Sequence, residues 1–170
     1  MLLATVLLVL GEPVQAQPQR LEAGGQVTLF QFDLAQGSSA INQKLWLAGA
    51  FLQVNMAPSL AFRLGGLFGG GSITLLQLDT EVLARYNLGQ VALYLGGGVG
   101  FIQMSSAGGV FSFQIPLFGV IGLQTSHKDS GLNGFIDFRP VLPMNLGNSL
   151  LQIGTGQPPF QFTFGFLYQL

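Results

Sequence analysis

At 170 residues the chain holds one domain at most beyond any processed segment. Charged residues make up only 8% and hydrophobic ones 49%, against about 25% charged in a typical soluble domain, which argues against an ordinary soluble surface. Six bases against seven acids exclude a basic nucleic-acid-binding face, and the absence of cysteine excludes disulfides and thiolate metal sites.

Met1 to Leu10 is an apolar run too short to cross a bilayer as a helix. Pro13 breaks it, and Val14-Gln15-Ala16 is a small-residue cleavage motif before Gln17. Residues 1–16 therefore read as a secretory signal peptide, although no Lys or Arg precedes the apolar run, and 17–170 as the mature domain. A buried strand or helix over 1–10 is the alternative.

The mature sequence breaks into eight segments whose hydrophobicity alternates with the two-residue period of a β-strand. The first, Gln26 to Ala35, sets Phe30, Phe32 and Leu34 against Gln31 and Asp33. The second, Lys44 to Met56, carries Trp46, Ala48, Ala50, Leu52, Val54 and Met56 on one face. Its other face mixes Gln53 and Asn55 with Leu45, Leu47 and Phe51, so alternation is imperfect there. A turn at Ala57-Pro58-Ser59 leads to the third, Leu60 to Phe68, and Gly69-Gly70-Gly71-Ser72 to the fourth, Ile73 to Tyr86. That fourth segment places Gln77, Asp79, Glu81 and Arg85 opposite Leu76, Leu78, Val82, Ala84 and Tyr86.

The fifth segment, Val91 to Ile102, has Gly96, Gly98 and Gly100 on the parity of Tyr94, as small residues in a crowded interior require. The sixth, Phe111 to Gln124, is interrupted by Pro116, which marks a weakened ladder position. The seventh, Gly134 to Leu142, sets Asp137 and Arg139 against Ile136 and Phe138. After the irregular stretch from Pro143 to Pro159 comes the eighth. There Phe160, Phe162, Phe164, Phe166, Tyr168 and Leu170 share one face, and the other is mostly polar.

Hairpin register tests these faces, because paired residues must point to the same side. A turn centred on Leu88-Gly89 pairs Tyr86 with Val91 and Arg85 with Ala92. A turn at Pro58 pairs Val54 with Phe62 and Gln53 with Arg63, and Arg63 then falls opposite Asp79 or Glu81. Strands apolar on one face and polar on the other, ending in an aromatic strand that would fray at a soluble edge, suit a closed barrel in lipid. The predicted fold is all-β: an eight-stranded antiparallel up-and-down transmembrane β-barrel preceded by a signal peptide. An even count puts both termini on one side, with 57–59, 87–90 and 126–131 as periplasmic turns. Ten strands stay open, since Leu150-Leu151-Gln152-Ile153 can extend a hairpin.

The segment Arg85-Tyr86-Asn87-Leu88-Gly89, the run Leu93-Tyr94-Leu95-Gly96-Gly97-Gly98-Val99-Gly100-Phe101 and the C-terminal strand resemble the small bacterial outer-membrane β-barrel proteins related to the OmpA-type transmembrane domain and the OmpX-type barrels. The resemblance covers most of the mature chain and rests on pattern. It implies residence in the bacterial outer membrane, among outer-membrane lipids. In the closing strand it implies an assembly signal for the barrel-assembly machinery at Phe162, Phe164, Phe166, Tyr168 and Leu170, although the family usually ends in an aromatic.

Asp33, Arg63, Asp79, Glu81, Arg85, Asp137 and Arg139 all have interior parity in this reading. Buried charges need partners, so they predict an ion-pair network plugging the lumen; a narrow charged conduction path is the sharper alternative. Trp46, Tyr86 and Tyr168 are candidates for the membrane-interface girdles, with core packing as the alternative. The lone His127, in Ser126-His127-Lys128-Asp129, lacks the converging serine and carboxylate of a hydrolase and reads as a solvated turn residue. Gly96-Gly97-Gly98-Val99-Gly100 is followed by neither a helix nor a Lys-Ser/Thr pair, so it is no phosphate loop. No catalytic residue, metal or cofactor is expected. The expected role is structural or interactional, in envelope integrity or surface contact. The alternatives are a small channel for solutes or apolar compounds and a soluble lipocalin-like carrier with inverted polarity.

Overall fold

The computed structural model describes residues 20–36, 39–106, 109, 111–125, 131–145 and 158–170; the expected signal peptide and His127 fall outside them. Every described element is a strand: β1 (Arg20–Gln36), β2 (Ser39–Ala57), β3 (Leu60–Gly70), β4 (Ile73–Asn87), β5 (Val91–Ser106), β6 (Phe111–Thr125), β7 (Leu132–Asn145) and β8 (Phe160–Gln169). Each pairs antiparallel with the next, and β8 pairs with β1, which closes the barrel and leaves no edge. Most strands outrun their expected ends because pairing continues past the apolar pattern. β1 begins at Arg20 rather than Gln26, and β5 reaches Ser106 rather than Ile102.

Turn chemistry fixes the registers. At Pro58-Ser59 the pairs Gln53–Arg63 and Val54–Phe62 form as expected, and Arg63 stands opposite Glu81. At the β4–β5 turn the expected register is two residues off: Asn87 pairs with Ala92, Tyr86 with Leu93 and Arg85 with Tyr94. The Leu88 N–H donates to the Val91 carbonyl at 2.8 Å, which makes Gly89 and Gln90 the two central residues. Gly89 has φ +84°, as the first central position of such a turn demands. A slip of two preserves parity, so the faces survive the correction.

The pairings stagger steeply around the ring. Arg20 pairs with Asn55, then Ala61, Leu83, Gly96 and Val120 follow in turn. The β6–β7 register carries Val120 to Arg139, which pairs with Gln161, which pairs with Phe30. One circuit thus climbs from residue 20 to residue 30 of β1, and this shear tilts the strands by about 40°. Outward residues from Met56 up to Trp46 on β2 then span about 25 Å along the axis, the height of a lipid-facing band.

The lumen is filled by large residues laid over glycines on the adjacent strand. Gly24 pairs with Phe51, Gly122 with Tyr94, Gly98 with Phe118 and Gly165 with Phe135. A Cβ added at Gly122 would lie 2.3 Å from Tyr94 Cζ, and one at Gly24 would lie 2.4 Å from Phe51 Cζ. Leu47 over Gly69 and Leu83 over Gly96 repeat the device. The glycines therefore mark where a neighbouring ring or branched chain folds across the wall, the same pairing that rescues glycines in designed sheets.

Candidate functional site: the barrel lumen

Inward parity gathers two kinds of side chain, separated along the axis. The half nearer the chain termini is polar and charged; the far half, toward the β1–β2 and β5–β6 loops, is apolar.

At the terminal mouth, Arg85 Nη1 donates to Asn55 Oδ1 at 3.0 Å. Gln53 Nε2 donates to the same oxygen at 3.2 Å and to Glu22 Oε2 at 2.8 Å. Gln53 Oε1 in turn accepts from Arg63 Nε at 3.1 Å. Arg63 Nη1 lies 3.4 Å from Glu81 and 3.5 Å from Asp137. Its guanidinium also stands 4.8 Å from the Phe51 ring centre, 5.0 Å from that of Phe135 and 5.5 Å from that of Tyr94, an aromatic clasp on the cation.

Arg139 is the hub. Its Nη1 meets Glu81 Oε1 at 2.7 Å and Asp79 Oδ2 at 3.3 Å, while its Nε meets Asp137 Oδ1 at 2.9 Å. Tyr94 adds its hydroxyl to Asp137 at 3.0 Å. Beyond Asp79 the chain of hydrogen bonds runs through Gln77 to Gln161, whose Nε2 reaches Gln77 Oε1 at 2.6 Å. Alongside it, the Thr28 and Thr163 hydroxyls share a bond of 2.9 Å. Arg63, Arg139, Asp79, Glu81 and Asp137 are all no more than 2% exposed. Charges so buried are tolerable only as a mutually paired set, and this one is cross-braced from β3, β4 and β7.

Above this set lie Phe30, Phe32, Leu34, Leu45, Leu47, Leu67, Ile73, Leu75, Ile102 and Met104, all buried within one continuous apolar cluster. Here the sequence expectation fails for Asp33. Phe30, Phe32 and Leu34 point into the lumen, and Asp33 occupies the opposite parity, far from the arginines. Its carboxylate accepts from Asn42 Nδ2 at 2.8 Å across the β1–β2 pair. The physical reason is that the far half of the lumen is apolar, so aromatic residues belong inside there. Gln31, Asp33, Asn42 and Lys44 have outward parity above the lipid-facing band; Asn42 and Lys44 are exposed, while Asp33 is buried beside Asn42. The imperfect alternation of the second segment has the same origin, since Leu45, Leu47 and Phe51 face inward.

Six of the seven expected lumen charges are thus inward, with Arg85 at the mouth and bonded to Asn55 rather than to an acid. Sequence reasoning missed Glu22, because Gly24-Gly25 hid the continuation of β1 below Gln26, and missed the Phe51–Phe135 clasp, which unites strands remote in sequence.

Outside, Trp46 is 58% exposed and lies toward the far end; Tyr86 and Tyr168 are exposed at the terminal end. Phe162, Phe164, Phe166, Tyr168 and Leu170 all face outward from the closing strand. Phe164 stands near mid-height and meets the Trp46 ring at 6.3 Å. Phe164→Arg should therefore destabilise the protein in lipid by about 2–4 kcal/mol in urea titrations of vesicle-folded protein. Arginine at the outward-facing Leu132, close to the terminal rim, should cost about 1 kcal/mol or less.

No family model matches the sequence, and no curated protein matches it. Solved structures do match in fold. The Neisserial surface protein A is 12% identical, with a TM-score of 0.66 over 88% of this chain and 97% of that one. The N-terminal β-barrel domain of Pseudomonas aeruginosa OprF is 7% identical, with a TM-score of 0.59 over 86% and 97%. A de novo designed transmembrane β-barrel is 13% identical, with a TM-score of 0.52 over 91% and 98%. With its apolar exterior and closed ring of eight antiparallel strands, the chain has the fold and surface of a small bacterial outer-membrane β-barrel.

Proposed function

We propose that this outer-membrane barrel serves a structural or surface-contact role, with a lumen closed to solutes and no catalytic chemistry. The observation that supports it most is the two-part filling of the lumen. A hydrogen-bonded, ion-paired set occupies the terminal half, which faces the periplasm, and a packed apolar cluster occupies the far half. An ion crossing it would have to displace Arg139 from three carboxylates and then enter a largely apolar region, and both steps are costly. A soluble carrier would need the opposite polarity, whereas Trp46, Leu78, Leu95, Ile121 and Phe166 lie exposed on the outside. The same exterior supports lipids as the immediate partners and the Phe162–Leu170 strand as the segment read by the assembly machinery.

Planar-bilayer recording tests the closed lumen. Wild-type protein should give no single-channel steps, and Arg85→Ala should stay silent because Arg85 sits at the mouth, outside the seal. Regular steps of one conductance from the wild-type protein would refute the proposal.

A further inference from the structure

Gln114 stands apart in the apolar half of the lumen. It points inward from β6, is fully buried, and both its amide oxygen and its amide nitrogen lack a hydrogen-bond partner. Its cross-strand neighbours are Ile102 on β5 and Asn145 on β7. Ile102 and Met104 belong to the apolar cluster with Phe32 and Leu75. A buried amide with neither group satisfied is costly, and the cost is relieved by anything that brings a donor and an acceptor together.

The strand pairing beside Gln114 is also interrupted. Pro116 and Pro143 stand opposite one another in the β6–β7 pairing, and Pro140 lies further down β7, so three backbone donors are missing around β6. The paired registers skip Gly119, Val120, Arg139 and Pro140 between β6 and β7, and Gly100, Phe101, Ile115 and Pro116 between β5 and β6. Both interruptions fall at or above mid-height, alongside apolar lumen residues such as Phe118, Val141 and Ile102.

We propose that the far half of the lumen is a binding site for an uncharged single-chain amphiphile, with Gln114 as its polar anchor. The apolar cluster takes the chain, and the Gln114 amide takes a head group that both donates and accepts, such as a primary amide, an alcohol or a protonated carboxylic acid. A charged head is disfavoured, because among the described residues the arginines and carboxylates of the lumen lie in the terminal half and Lys44 faces outward. Met104, unbranched and adaptable, can repack to admit the chain. The site lies above the ion-paired set, so occupancy leaves the barrel closed.

The test uses the mature protein in lipid nanodiscs with its glutamines labelled with nitrogen-15, and dodecanamide as the probe. The Gln114 side-chain amide signal, assigned by its disappearance in Gln114→Leu, should shift saturably with dodecanamide and not with n-dodecane. Binding to Gln114→Leu, a substitution of similar size that suits the apolar surroundings, should be about tenfold weaker or worse. Two results would overturn the proposal: a Gln114 signal indifferent to dodecanamide while exchanging its protons with water, or equal binding by the wild type and Gln114→Leu. If Gln114→Leu fails to fold, Gln114→Met serves as the second variant, and undiminished binding by it has the same consequence.

Discussion

Arg139→Ala should remove about 3–5 kcal/mol of stability, the characteristic cost of leaving buried charge without its partner. Three carboxylates, on Asp79, Glu81 and Asp137, converge on the one guanidinium, and each is almost wholly buried. Removing it takes the Arg139 ion pair from Asp79 and leaves Glu81 and Asp137 with only the longer Arg63 contacts, so the three repel one another with much of their counter-charge gone. Arg139→Lys should fall between the two: the charge remains, but an ammonium cannot fork to Asp137 through Nε and Nη2 as arginine does at 2.9 and 3.2 Å. Urea titration of protein folded into vesicles, followed by heat-dependent gel migration, reads both. A loss under 1 kcal/mol for Arg139→Ala would mean that water, rather than Arg139, solvates the carboxylates.

Gly122→Val should be of similar severity, about 3–5 kcal/mol, although it adds only an apolar side chain. The Tyr94 ring occupies the space that any Cβ at position 122 would take, with its hydroxyl oxygen 2.4 Å from that point. Valine must expel the ring, which brings overpacking of about 1–3 kcal/mol and the loss of the Tyr94–Asp137 bond, worth about as much again because its acceptor is a carboxylate. Gly122→Val combined with Tyr94→Ala should cost clearly less than the sum of the two single changes, since they share one volume. Strict additivity in that double-mutant cycle would show that the ring does not rest on the glycine in lipid.

The fold was legible because lipid imposes period-two hydrophobicity on the outside of every strand. Leu76 to Tyr86 on β4 and Phe162 to Leu170 on β8 carry that signal undiluted, and their faces are as expected. Register was legible where proline fixed the turn, at Pro58, and was misread by two residues where the position of Gly89 within the turn decided it. The interior was only half legible. Polar residues facing a polar lumen half stand out against an apolar exterior, which is why Arg63, Asp79, Glu81, Asp137 and Arg139 were found. In the far half the lumen face is apolar, and on β1 above the lipid-facing band the outer face is polar, so the alternation is inverted and Phe30, Phe32 and Leu34 read as lipid-facing residues. Asp33 was misassigned with them. The Arg63 clasp was invisible for another reason: Phe51 and Phe135 meet through barrel closure, and no local pattern records that.

That clasp bears on how the barrel forms and comes apart. Arg63 on β3 is held between rings on β2 and β7, and its carboxylate partners lie on β4 and β7. None of the β7 contacts can form until the sheet has curled far enough to bring distant strands together. Such contacts are absent from early, open intermediates, so they contribute little to the rate of assembly and act mainly against the reverse process. The ion-paired interior is thus a latch on the finished ring, one that lengthens the lifetime of the closed state without hastening its arrival.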